Sequence, residues 1–287
     1  MQDCIVIGGG PAGLTAALYL ARFLRTVTLF DATDGRARMI PTTHNLAPFP
    51  DGIAGQDLLD RMRDSAECYG ARVLPDRVLS VHRQGDGFRV STGLDELSSR
   101  FLILATGVFN HRPPLSSADH DTGLRRGLIR YCPVCDAFEV RDKRIAVLGA
   151  GVHGLHEAQF LRRYSGSVTL IPPTGHTAIA ADGIAFPDAP IIGLSLSDTQ
   201  VIVCLATAAA LSFDTLYVAL GTTARSDLAA SLGARLTEEG HIWVDAKQRT
   251  SLDQVYAIGD VTEGLDQIAV AMGQAAIAAT AIHKGLD

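Results

Sequence analysis

Cysteine is scarce in this chain: five residues in 287, an odd number that argues against a disulfide-stapled secreted scaffold and for a reducing, cytoplasmic compartment. Long apolar runs are missing too. No uncharged stretch reaches the roughly 18 residues that cross a bilayer, so no membrane partner is expected. Net charge is only −6, which supplies no basic face for nucleic acid or an anionic membrane. No basic leader precedes the apolar strand after Met1-Gln2-Asp3-Cys4, and a targeting segment is not expected. One further shortage is local: from Tyr164 through Ala224 there is no lysine or arginine.

What is present is an ordinary globular composition, 47% hydrophobic, in a chain long enough for two domains or one large one. Cys4 to Ile7 reads as a buried strand, Gly8 to Gly13 as a turn and Pro11 to Leu24 as a helix. Val27 to Phe30 then forms a second strand ending in Asp31, which completes a β-α-β unit. A loop from Asp34 to Gly52 leads to an amphipathic helix, Gln56 to Tyr69, and to strands within Val73 to Ser91 and Phe101 to Ala105. The β-α-β pattern returns at Arg144, with a turn at Gly149 to Gly154, a helix from Leu155 to Tyr164 and a strand from Val168 to Ile171. A strand at Val255 to Ile258 and the pair Gly259-Asp260 precede an Ala-rich helix from Asp266 to His283. Breaker-rich stretches at Pro113-Pro114 and Gly221-Thr222 give the simplest organisation: one domain split across residues 1–112 and 223–287, and a second inserted as residues 113–222.

Gly8-Gly9-Gly10-Pro11-Ala12-Gly13 fits G-x-G-x-x-G between a strand and a helix. Glycine is needed because the backbone turns tightly and approaches a pyrophosphate closely, with the unpaired N–H groups of the helix start facing its charge. Asp31 stands where a carboxylate binds a ribose diol. Strand, turn, helix, strand and acid in that order are far more specific than the glycines alone.

Cys132-Pro133-Val134-Cys135-Asp136 is the second chemical centre. Two thiols at this spacing close a small disulfide, and either thiolate can attack a flavin or a partner disulfide. The adjacent carboxyl can shuttle the proton that a dithiol gains or loses. A zinc site is the rival, but Cys4, Cys68 and Cys204 stand alone, and none has Cys or His at ligand spacing. No metal is therefore expected.

Taken together, these residues resemble the low-molecular-weight thioredoxin reductases. The likeness spans nearly the whole chain: Gly8 to Gly13, Ala105-Thr106-Gly107, Cys132 to Asp136, the second glycine turn, and Ala257-Ile258-Gly259-Asp260. It implies an α/β protein of two Rossmann-like three-layer nucleotide-binding domains, the FAD domain split by an inserted domain that carries the C-x-x-C. By the same likeness Gly8, Gly10, Pro11, Ala12, Gly13 and Asp31 bind the ADP half of FAD, Asp260 after Gly259 holds the ribitol, and Gln267 and Ile268 offer amides to the flavin ring. Asn45, Val78, Thr106 and Gly107 also fall among the flavin-site positions. Cys135 is then the thiol that meets the flavin, Cys132 the one that exchanges with substrate, and Asp136 the acid-base. A homodimer, and a thioredoxin-like protein or a small disulfide or dithiol as substrate, are expected on the same ground.

The chain departs from that family at its second nucleotide site. The offset that carries Gly8 to Asp31 carries Gly149 to Pro172, which has neither a carboxylate for a 2′-hydroxyl nor a cation for a 2′-phosphate. Where the family's NADPH users carry a His-Arg-Arg run, this chain has Pro172-Pro173-Thr174-Gly175-His176. Losing two charge-assisted bonds of about 1.5–3 kcal/mol each weakens binding by roughly two to four orders of magnitude. These residues argue against NADPH as donor, and NADH fares no better without the acid. Relatives that dispense with pyridine nucleotides use ferredoxin, a second FAD or oxygen. An oxygen-dependent oxidase closing a disulfide in a small dithiol metabolite is one alternative function. A non-catalytic flavin-binding sensor is the other, and the intact dithiol-plus-acid argues against it. Asp266 stands where the family usually has arginine.

Overall fold

The computed structural model describes residues 1–176, 179 and 181–287. The chain divides into two compact units, one comprising residues 1–38, 55–109 and 223–287, the other residues 39–54 and 110–222.

In chain order, the first unit opens with β1 (Gln2–Ile7), α1 (Pro11–Arg22), β2 (Val27–Phe30) and α2 (Gly55–Cys68). There follow β3 (Arg72–Leu74), β4 (Val78–Gln84), β5 (Gly87–Thr92), β6 (Glu96–Leu104) and β7 (Val108–Asn110). The second unit holds α3 (Ser117–Arg125), β8 (Ile129–Arg130), α4 (Pro133–Asp136), β9 (Arg144–Gly149), α5 (Gly151–Leu161) and β10 (Ser167–Ile171). It continues through β11 (Ile191–Leu196), β12 (Val201–Leu205), β13 (Ala210–Phe213) and β14 (Thr215–Ala219). The chain returns to the first unit within β15 (Thr222–Ala224), followed by α6 (Asp227–Ser231), β16 (Val255–Ala257) and α7 (Ile268–Leu286).

The main sheet of the first unit runs β3-β2-β1-β6-β5-β4, with β16 on β6. The strands β3, β2, β1, β6 and β16 pair in parallel, whereas β4, β5 and β6 form an antiparallel meander. A parallel strand is covered on both faces and reads as an unbroken apolar run; β2 is buried at every position and β1 from Cys4 onward. Helix α1 buries Leu14, Leu20 and a run of alanines, each leucine contributing about 1.5–3 kcal/mol of burial. It stops at Arg22, two residues short of the pattern-based end, because Leu24 takes a left-handed conformation with φ 61°.

The second unit has a parallel sheet in the order β10-β9-β14-β8. Its α5 starts at Gly151 rather than Leu155, so the glycine turn is itself the first turn of the helix. Between β10 and β14 the chain forms an antiparallel sheet, β11-β12-β13, which the sequence reading does not anticipate. Residues 39–54, kept with the split domain in the sequence reading, cluster with this unit, where Met39 packs on the core of Leu148, Ile171 and Leu216.

Leu102 lies wholly buried in β6, between β1 and β16. Leu102→Ala should cost about 2–5 kcal/mol, read as a fall in the urea midpoint; an unchanged midpoint would place this strand outside the cooperative core.

Candidate active site

The first glycine turn follows β1 directly. Gly8 has φ 119°, and a Cβ there would stand 2.1 Å from the Ala105 carbonyl oxygen. A Cβ on Gly13 would stand 1.9 Å from the Gly8 carbonyl oxygen. Gly13 is therefore required by the contact of α1 with its strand, and Gly8 by the approach of the strand end to Ala105. Gly10 differs: a Cβ there meets nothing within 4 Å, and it caps α1 without any capping side chain. Pro11 fills the first helical position, which needs no N–H, and Ala12 faces Gly259, whose added Cβ would approach to 3.0 Å. The turn is thus a backbone cradle, glycine-lined on the protein side and open ahead of the helix start, and it fits a pyrophosphate.

Asp31 is buried at the end of β2. Its Oδ1 accepts from the Thr33 backbone N–H at 2.9 Å, and its Oδ2 accepts from Arg38 at 3.1 Å and Arg63 at 2.9 Å. Neither arginine is visible from the motif, because both reach Asp31 from later loops and helices. Thr106 donates to the Arg225 carbonyl at 2.7 Å, and Gly107, at φ 69°, accepts the Arg225 N–H at 2.9 Å. Val78 places its side chain in the core with Phe30 and Phe88.

Gly259 takes φ 74°, and its N–H donates to Gln274 Oε1 at 2.7 Å. Asp260 follows it; burial raises its carboxyl above the usual range, against the pull of Arg36, whose Nη1 lies 3.7 Å away. Arg36 pairs more closely with Asp266, at 3.0 Å, so the acid that departs from the family's arginine is matched by a cation from another loop. Gln267 is the extended N-cap of α7 and Ile268 its first residue, two positions beyond the expected start. In the second unit, Asn45 Oδ1 accepts from Thr43 Oγ1 at 2.8 Å.

Cys132 and Cys135 form a disulfide with Cα atoms 5.2 Å apart. Cys132 is the extended N-cap of α4 and Pro133 its first residue, and the Cys135 N–H donates to the Cys132 carbonyl at 3.0 Å. The turn therefore brings both sulfurs and the Asp136 carboxyl onto one short segment. Asp136 is largely buried, which raises its carboxyl, while Arg130 and Tyr217 pull it down. Beside Cys132, the Tyr131 hydroxyl lies 2.7 Å from His120 Nε2, and burial pushes that phenol up to about 12. The other cysteines form no disulfide: Cys4 is buried, its thiol pushed up by burial, Cys68 is exposed, and Cys204 is half-buried. Among the described residues no cluster of His, Cys, Asp or Glu is arranged to hold a metal.

At the second turn, a Cβ on Gly154 would stand 2.7 Å from the Gly149 carbonyl carbon, so this pair too serves helix–strand contact. Pro172 and Pro173 follow β10, and the His176 N–H donates to the Pro173 carbonyl at 3.0 Å.

A glycine cradle on a parallel sheet, with a redox-closed C-x-x-C and a buried acid on a second α/β unit, defines a flavin-dependent disulfide oxidoreductase. The chain matches the pyridine nucleotide-disulphide oxidoreductase family over residues 2–182 and 190–275. It is 33% identical to a thioredoxin reductase of Streptomyces clavuligerus over 92% of its own length and 87% of that protein's. It superposes on the crystal structure of HlmI with a TM-score of 0.90 at 27% identity, covering 99% of this chain and 92% of that one. The thioredoxin reductase of Streptococcus pyogenes follows at a TM-score of 0.89 and 28% identity, covering 100% and 98%. The chain belongs to this family, as a member of the low-molecular-weight thioredoxin-reductase type with two Rossmann-like domains. None of the helices is long and apolar enough to cross a membrane among the described residues.

Gly8→Ala should expel FAD from the purified protein, because the added methyl cannot avoid the Ala105 carbonyl. Full flavin content in that variant, read from absorbance against protein concentration, would contradict the cradle.

Proposed function

We propose that this protein catalyses FAD-dependent dithiol–disulfide exchange through Cys132 and Cys135, with an electron donor other than NADPH. The observation that carries the reading is the disulfide-closed Cys132–Cys135 turn with the buried Asp136 on the same segment. FAD, when bound, supplies the two-electron carrier that opens or closes this disulfide. Gly8, Gly10, Pro11, Ala12, Gly13 and Asp31 would hold its ADP half, and Val78, Thr106, Gly107, Gly259 and Asp260 would hold the rest. Gln267 and Ile268 would offer the amides that start α7. Residues 1–112 and 223–287 form the flavin domain in this reading, and residues 113–222 the inserted one.

In the reducing direction, the Cys132 thiolate attacks a substrate disulfide, forming a mixed disulfide and releasing the first substrate thiol. The Cys135 thiolate then attacks Cys132 Sγ, which releases the second thiol and restores the Cys132–Cys135 bond. The dithiol loses two electrons and two protons, and the substrate gains both. Asp136 takes the proton of the attacking thiol and returns it to the leaving sulfur. The substrate is a thioredoxin-like protein or a small disulfide; one relative, from Mycobacterium leprae, is a bifunctional thioredoxin reductase/thioredoxin.

The donor follows from Pro172 and the stretch without lysine or arginine from Tyr164 to Ala224. The close Gly149–Gly154 approach explains why the second turn persists as packing whether or not a nucleotide is bound. Ferredoxin or a second flavin is the donor in this reading. Anaerobic titration of the flavin absorbance should show no bleaching with micromolar NADPH or NADH and full reduction by dithionite. Rapid bleaching by NADPH would make this an ordinary NADPH-dependent reductase.

A further inference from the structure

We propose that Tyr217 and Arg130 are positioning residues for Asp136, which pin both of its carboxyl oxygens and so govern the proton traffic of the Cys132–Cys135 couple. The inference rests on Asp136 being the acid-base of that couple, and it concerns residues that the C-x-x-C-D motif does not contain.

Asp136 Oδ1 accepts from the Tyr217 hydroxyl at 2.7 Å, and its Oδ2 accepts from Arg130 Nη1 at 2.7 Å. The two donors come from neighbouring strands. In the parallel pairing of β14 with β8, Tyr217 stands opposite Arg130, so one rung of the sheet delivers both. Tyr217 is wholly buried, and a buried phenol must find a partner; its partner is this carboxyl. The Arg130 Nε is buried without a hydrogen bond, so the guanidinium is held to Asp136 by its Nη1 end. A carboxyl one residue from Cys135 is thereby tied to the rigid sheet, while its short helix turn carries the bond that opens and closes.

That tie matters chemically because dithiol exchange needs a proton moved at a fixed place. Burial favours the neutral acid, and Arg130 and Tyr217 both favour the carboxylate; Glu139, just beyond, opposes them. Helix α5 also packs on this turn and carries His153, His156 and Glu157. The Glu157 carboxyl rises to about 7 through burial alone. Losing the Tyr217 donor or the Arg130 charge therefore makes Asp136 easier to protonate. The acid limb of any step that needs the carboxylate then moves to higher pH.

A purely structural tie between α4 and the sheet would predict lost stability or flavin content and no change of profile. The test is the reaction of the dithiol-reduced holoenzyme with a small aromatic disulfide, followed anaerobically across a pH series. Flavin content and melting temperature are recorded for each variant. Asp136→Asn should lose the acid limb. Tyr217→Phe should shift the limb upward by about one pH unit, the size of one charge-assisted hydrogen bond. Arg130→Gln should shift it at least as far, and Arg130→Lys should bring it back toward wild type. An unshifted limb in both Tyr217→Phe and Arg130→Gln, with Asp136→Asn still losing it, would overturn the positioning role while leaving Asp136 as acid-base. A wild-type limb in Asp136→Asn would remove the acid-base role, and the inference with it.

Discussion

The contact of the first helix with its strand, closed by Gly8 and Gly13, is the constraint on which the first unit depends. With a Cβ at Gly13 only 1.9 Å from the Gly8 carbonyl oxygen, no side chain is tolerated there, and α1 lies down on β1 at backbone distance. That approach turns the helix start toward the space ahead of the sheet, where the parallel strands end and a phosphate group can be met by backbone N–H groups. The second unit repeats the device with Gly149 and Gly154. The same backbone geometry therefore serves packing in both units, and the surroundings decide whether it also serves a ligand. In the first unit the next strand leads into Asp31, a buried carboxylate held by Arg38 and Arg63. In the second it ends in Pro172 and Pro173.

The dithiol obeys a different economy. Its two sulfurs sit on a turn of only four helical residues, capped by Cys132, and so short a segment has little rigidity of its own. It is tied to the sheet beneath through the carboxyl of Asp136. Burial alone would favour the neutral acid; an arginine and a phenol on one rung of the sheet counter that preference. The result is an acid whose position and charge are set by groups outside its own segment.

Local signals carried most of what was legible in the sequence. The glycine turns and Gly259 depend on close backbone approach or a positive φ, and the C-x-x-C-D run on the spacing of its thiols and acid, so they are readable without the fold. Both β-α-β units could be read because buried parallel strands are continuous apolar runs. What escaped depends on distant partners. Arg38 and Arg63 on Asp31, Arg36 on Asp266, and Arg130 with Tyr217 on Asp136 join residues that only tertiary structure brings together. The antiparallel sheet of β11, β12 and β13 carries no comparable signal, because its strands are only partly buried and flank no glycine turn. The starts of α5 and α7 shifted because backbone at the turn, not apolar periodicity, decides where those helices begin.

The central claim is that Cys132 and Cys135 exchange electrons with the flavin as one unit. Anaerobic titration of the holoenzyme with a small dithiol, following flavin absorbance in wild type and in Cys135→Ser, tests it most directly. The account predicts that wild type loses its oxidised-flavin absorbance, whereas Cys135→Ser keeps its FAD and stays oxidised. Flavin reduction in Cys135→Ser at the wild-type rate would contradict it.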